Sequence, residues 1–343
     1  MTFVATNSLR IMILVHEGLI PPETTEGLTD EEIAPWKAEY DVATTLEEMG
    51  HQIRVVGVHS DLGVIHREIE EYKPQITFNL LEEFHGHSLY DQHVVSYLEL
   101  ERQPYTGCNP RGLTLAHDKA LSKKILAYHR ILVPKFQVFP MNRKVRRPIH
   151  LDFPLLVKSI SEEGSVGISQ ASIVYDDSRL TERVEFIHRV VKTHAIAERY
   201  IAGREIYVGV VGNQRLQTLT PWELLIRRLP EGAANIATGK LKWDYAYQQR
   251  VGVATEPAVL PTETIKQISH LSKRIYRLLG LSGYARLDYR LTENGRIYLL
   301  EANPNPNISY GEDFAEAAEH SGVPYKKLLQ KIVTLGLSYS STA

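Results

Sequence analysis

Between residues 283 and 307 the chain reads GYARLDYRLTENGRIYLLEANPNPN, and four of these side chains can act together if the segment is a hairpin. Two alternating runs flank Asn294-Gly295, a strong two-residue turn signal. With that turn, Asp288 faces Glu301 and Arg286 faces Asn303, and the period of two puts all four on one face. The other face carries Leu287, Tyr289, Tyr298, Leu300 and Ala302. Opposed carboxylates with Cβ atoms roughly 5 Å apart repel each other unless a cation or proton stands between them. Asp, Glu and an Asn carbonyl are hard oxygen donors of the kind Mg²⁺ takes together with water and substrate phosphates. The alternative is an exposed sheet face on which Arg286 is a simple counter-ion.

Three further stretches suit a nucleoside triphosphate. Lys158 closes the apolar run PLLVK just before SEEGSVGIS, where Gly164 and Gly167 allow backbone N–H groups to approach phosphate oxygens. Asp118-Lys119 at a helix start offers a second phosphate contact, and AERYIAGRE sets Glu198 and Glu205 around a turn. Adenine there would use main-chain groups, with a carboxylate accepting from ribose hydroxyls. Each stretch taken singly has a plain alternative: a solvated lysine, a helix cap, a charged hairpin.

These groups need elements to position them. Residues 9–15 and 53–58 are apolar runs of strand length around a helical pattern at 36–49; helices at 62–72 and 91–101 and a strand at 76–81 complete a doubly wound parallel sheet. No Gly-x-Gly-x-x-Gly follows the first strand, which disfavours a dinucleotide site. A helix at 119–129, strands at 135–139, 154–159, 195–200, 206–212 and 216–219, and a helix at 262–279 follow, while polar residues 228–255 read as one large loop of lid type. At 343 residues two or three modules are expected. A net charge of −2 argues against nucleic acid or an anionic membrane as partner. The single cysteine, Cys108, excludes an internal disulfide; with no leader pattern and no run of about 18 apolar residues, the expected setting is cytoplasmic.

In this order, from Phe78 to Leu329, the stretches resemble an ATP-grasp enzyme of the D-alanine–D-alanine ligase type. The resemblance implies an α/β chain: an N-terminal doubly wound domain (1–114), a central ATP-grasp lobe (115–198) and a C-terminal lobe with the metal site (199–343). It implies that Lys119 and Lys158 hold ATP phosphates, that Ser165, Val166 and Gly167 cover them, and that Glu198, Arg199, Tyr200 and Ile201 meet adenine with Glu205 on the ribose. Asp288, Glu301 and Asn303 match its magnesium ligands, for two ions or for Mn²⁺ in their place. Arg286 matches the arginine on the reacting carboxyl, Lys242 the mobile-loop lysine and His85 a donor-region histidine. The implied reaction is ADP-forming ligation of a small carboxylate to an amine through an acyl-phosphate; a small-metabolite kinase and a non-catalytic nucleotide-binding protein are the alternatives, and a homodimer stays open.

The match departs where substrates are chosen. LVHEGLIPPE stands where the family has Gly-Gly-x-Ser-x-Glu, leaving Glu17 as the candidate glutamate; Gly164 replaces a serine, Trp243 a tyrosine, and PNPNIS the Pro-Gly-Met-Thr stretch. A different amino acid or small peptide is therefore the expected substrate.

Overall fold

Strand β1 (Arg10–His16) buries five residues in a row, Ile11 to Val15, as a strand covered on both faces must. It is the middle of a parallel sheet of order β2-β1-β3, with β2 at Gln52–Val58 and β3 at Ile76–Asn79. Helices α1 (Lys37–Glu48), α2 (Leu62–Tyr72) and α3 (Asp91–Leu100) lie within a residue of their expected ends. The computed structural model describes residues 8–161, 167–229, 232, 234, 236–240 and 244–340, and among these no helix is long and apolar enough to cross a membrane.

Helices α4 (Pro110–His117) and α5 (Lys119–Tyr128) follow. A four-stranded antiparallel sheet, order β4-β7-β5-β6, is built from β4 (Phe136–Phe139), β5 (Leu155–Ser159), β6 (Ile173–Val174) and β7 (Ala195–Arg199). It has its own core, in which Leu155, Val157 and Ala197 meet Leu180 and Val184 of α6 (Asp177–Phe186).

The third sheet carries β8 (Arg204–Val211), β9 (Gln217–Thr218), β10 (Trp222–Ile226), β11 (Val253–Pro257), β12 (Tyr284–Leu291) and β13 (Ile297–Pro304), in the order β11-β10-β8-β12-β13 with β9 beside β8. Residues 228–255 are thus not one loop: α7 (Tyr245–Val251), capped by Asp244 accepting from Tyr247 N at 2.8 Å, leads into β11. The strand escaped notice because it pairs on one side only and carries little apolar alternation. Residues 230, 231, 233, 235 and 241–243 lie outside the described ones.

Helix α8 (Thr262–Leu278) places Ile268, Ile275 and Tyr276 against one face of this sheet, in a core shared with Ile206, Val208 and Leu287. Leu126 of α5 and Leu113 of α4 belong to the same core, so α5 packs with the C-terminal sheet while Lys119 N also donates to Ile160 O, just beyond β5, at 3.4 Å. Two last helices, α9 (Asp313–His320) and α10 (Tyr325–Ser338), cover the other side, and α10 also packs on α1 and β3.

Gly283 enters β12 at φ +68, and a Cβ there would collide with the Gly107 backbone. Gly295, at φ +77, has open space around it. Gly283→Ala should therefore cost on the order of 3 kcal/mol and Gly295→Ala only about 1 kcal/mol, read as shifts of the urea midpoint. Equal losses would mean that the approach of Gly283 to Gly107 does not matter.

Candidate active site

β12 and β13 pair so that Asp288 faces Glu301 and Arg286 faces Asn303, as the sequence suggests. The route to that register differs. Thr292 N donates to Arg296 O at 3.0 Å around a three-residue loop, 293–295, so the pairs Leu291–Ile297, Arg290–Tyr298 and Tyr289–Leu299 are offset by one residue. A bulge at Leu300 absorbs the offset before Glu301. The apolar face is corrected accordingly: Leu299, not Tyr298 or Leu300, joins Ala302 in the core. The bulge also presents the Leu300 carbonyl to Lys123 Nζ, which donates to it.

The opposed carboxylates do not wait for one shared cation. Arg286 donates from Nε and Nη2 to both oxygens of Asp288 at 2.8 and 3.0 Å, while its Nη1 lies 3.6 Å from Asp313 Oδ2. Its guanidinium rests on the Tyr207 ring, 4.4 Å from the centroid. Asn303 Nδ2 donates to Asp288 Oδ2 at 2.9 Å, and its amide oxygen keeps acceptor character. Glu301 is served from the other lobe: Lys158 Nζ stands 3.7 Å from its Oε2 and 3.5 Å from Glu198 Oε2. Lys123 completes the line at 3.3 Å from Glu198 Oε1. Burial works against the charge of Lys158, but Glu198 and Glu301 outweigh it and raise its pKa. For Lys123 burial prevails over Glu198, and the ammonium is pushed down to about 8.

The remaining sequence candidates divide. Lys119 is buried at the start of α5, where Asp118 acts as the cap and accepts from Ala120 N and Leu121 N at 3.0 and 2.8 Å. Glu198 is almost fully buried, and its carboxylate is turned into the lysine pair. Arg199 N and Tyr200 N already donate to Lys135 O and Pro154 O at 2.8 and 2.9 Å, next to Ile201. Glu205 accepts from Arg290 Nη2 at 2.7 Å and from the Tyr207 hydroxyl at 3.0 Å. Gly167, at φ +70, accepts through its carbonyl from Arg183. Ser165, Val166 and Lys242 lie outside the described residues, as do Gly164 and Trp243. His85 is on the N-terminal domain, its N donating to His59 O at 2.6 Å; His59 Nδ1 is 3.2 Å from His16 Nε2, which is 3.4 Å from Glu83. Glu17 is exposed just beyond β1.

Lys123, Arg290, Tyr207 and Asp313 have no place in the sequence reading. Two had a signal: Lys123 follows Lys119 by one helical turn, and Arg290 continues the alternation of Arg286 and Asp288. Tyr207 and Asp313 arrive from β8 and α9, which no local spacing ties to the hairpin.

Two antiparallel lobes joined by a buried lysine–carboxylate line, behind a parallel-sheet domain, define an ATP-grasp fold. Residues 126–334 match the family described as D-ala D-ala ligase C-terminus, and the chain belongs to that family of carbon–nitrogen ligases. It is 30% identical over 300 residues to an uncharacterized protein of Sinorhizobium fredii, covering 85% of each chain. It is 29% identical to the D-alanine–D-alanine ligase of Syntrophotalea carbinolica, covering 90% of this chain and 92% of that one. The D-alanine–D-alanine ligase of Bacillus anthracis, crystallised with ATP, superposes with a TM-score of 0.74 at 22% identity over 96% of this chain and 98% of the other.

Arg290 and Glu205 are both at least 95% buried, so removing one partner strands the other's charge. Arg290→Met should cost about 3–5 kcal/mol in a denaturant titration, and adding Glu205→Gln should recover much of it. Additive losses in the double variant would refute the pairing.

Proposed function

We propose that this protein spends ATP to activate a substrate carboxylate as an acyl-phosphate and hands the acyl group to an amine, releasing ADP and phosphate. One observation carries the reading: the register that sets Asp288 opposite Glu301 on a face shared with Arg286, with Lys158 reaching that face from the other lobe. A hydride-transfer or nucleophile-based enzyme has no use for such an arrangement.

The donor set fits Mg²⁺. Two carboxylates and an amide oxygen are what this ion takes when phosphates and water fill the rest of its shell. Asp288, Glu301 and Asn303 would hold it, two ions or Mn²⁺ being compatible, and when bound it supplies charge screening on the transferring phosphoryl group.

The chain's own groups do the following. Lys119 and Lys158, with Lys242, offset phosphate charge and orient the γ-phosphoryl group. Since Arg199 N and Tyr200 N are engaged, adenine recognition at the hinge falls to Ile201 and its neighbouring carbonyls. Glu205 has two partners and room in its lone pairs for a ribose hydroxyl. A substrate carboxylate oxygen attacks the γ-phosphorus, and the bond to ADP breaks. The amine then attacks the acyl carbon, Arg286 donates to the developing oxyanion, and phosphate leaves as the amine loses its proton. His85 and Glu17 lie beyond the strand ends of the parallel sheet, where ligands of such sheets bind, and are the donor-side candidates.

Glu301→Gln should abolish turnover at ordinary Mg²⁺ while the fold persists, because Lys158 keeps Glu198 as its counter-ion. Near-normal activity with an unchanged circular dichroism spectrum would remove Glu301 from the ligand set. The substrate-side departures, Gly164, Trp243 and the missing Gly-Gly-x-Ser-x-Glu, fall together, so the site is rebuilt and D-alanine should be a poor substrate. Phosphate release should require both a carboxylate and an amine, with D-alanine alone giving kcat/KM below about 10⁴ M⁻¹s⁻¹. A stable phosphoester product would instead mean a kinase, and fast turnover of D-alanine would restore the ordinary family substrate.

A further inference from the structure

Lys123 is 2% exposed, in the middle of α5, and takes no part in the reaction as drawn. An ammonium group loses its hydration on such burial and is retained only where fixed acceptors replace the water. Here the partners come from both lobes. Glu198 Oε1, the ion-pair partner 3.3 Å away, belongs to β7 of the central sheet; the Leu300 carbonyl, which accepts the hydrogen bond, belongs to β13 of the C-terminal sheet and is offered by the bulge next to Glu301. Lys158 lies on the far side of Glu198, 3.5 Å from its Oε2.

Glu198 is therefore shared between two lysines, and the share taken by one sets what remains for the other. With Lys123 in place, Lys158 is held at 3.5 Å from Glu198 and at 3.7 Å from Glu301, between the lobes. Without it the whole charge of Glu198 falls on Lys158 in a medium of low dielectric, and the ammonium is drawn back along β5 from the face that carries Asp288 and Glu301.

We infer that Lys123 is a positioning residue for the phosphate grip: by occupying one oxygen of Glu198 and the Leu300 carbonyl, it leaves Lys158 free to engage the phosphates of ATP. Glu198 is then the counter-ion that this lysine pair divides, not a reader of the base. The inference rests on the ATP site proposed above, and it fixes a sign that a merely structural lysine would not have. The defect of a Lys123 variant should be confined to the phosphates, and a second substitution that discharges Glu198 should cure it.

The test is calorimetric titration of the full-length protein with ATP and, separately, with adenosine, which has no phosphate. Lys123→Met should weaken ATP about tenfold or more and leave adenosine within about twofold, while Lys123→Arg, which keeps the charge, stays near the parent. Adding Glu198→Gln to Lys123→Met should return ATP affinity to within about threefold of the parent. Equal losses for ATP and adenosine, or a double variant no better than Lys123→Met, would overturn the inference. If Lys123→Met alone does not fold, the charge-balanced double variant becomes the measurement: near-parental ATP affinity supports the inference and a tenfold loss refutes it. A parent protein that binds no ATP would instead refute the proposed ATP site itself.

Discussion

The molecule is organised around the need to keep charge dry. Lys123, Glu198, Lys158 and Glu301 alternate in sign along one line, and the first three are at least 95% buried. Stranding one such ion costs about 3–5 kcal/mol, comparable with the whole stability of a domain, so neither lobe can carry its part of the line alone. Lys158 and Glu198 come from the central sheet, Glu301 from the C-terminal sheet, and Lys123 from a helix that packs with the latter. The lobes are thus held in register by charge balance at the place where a polyanionic ligand would enter. Such a ligand brings its own negative charge and competes with Glu198 and Glu301 for the same ammonium groups.

Much of the framework was legible because the chain states it locally. Apolar runs of strand length, helices with the right period and the helix start at Asp118-Lys119 gave most elements of the parallel and central sheets to within about two residues, while α4, β6 and α6 were not among them. The C-terminal edge was less legible. β11 is paired on one side, and nothing in VATEP distinguishes it from a loop until β10 is known to lie beside it. The hairpin teaches a different lesson. Asn294-Gly295 led to the right partners for Asp288 and Arg286 only because two departures cancel: the loop is one residue longer than assumed, and Leu300 is bulged out. Turn chemistry predicts a register, but a bulge is decided by tertiary demands, here a carbonyl for Lys123.

Two of the site's missing members, Tyr207 and Asp313, were non-local for the same reason. Repulsion between Asp288 and Glu301 correctly required neutralisation, yet the neutralising groups, Arg286 along the strand and Lys158 across the lobes, were already present in the chain. A sequence shows which charges a face carries and leaves open which distant element answers them.

Asp288 shows how closely the site's resources are matched. A carboxylate offers roughly four lone-pair sites, and Arg286 Nε, Arg286 Nη2 and Asn303 Nδ2 take three of them. Glu301, with its side chain 28% exposed, is answered at longer range by Lys158 of the other lobe. The same two bonds from Arg286, with Tyr207 beneath it, fix the plane of the guanidinium before any substrate arrives. Preorganisation of this kind is what makes a donor effective toward a developing oxyanion, since no reorientation is needed at the moment of reaction. Asp288, besides its place in the proposed ligand set, is thus the group that aims Arg286, and it does so because the period of two along β12 sets the two side chains next to each other on one face.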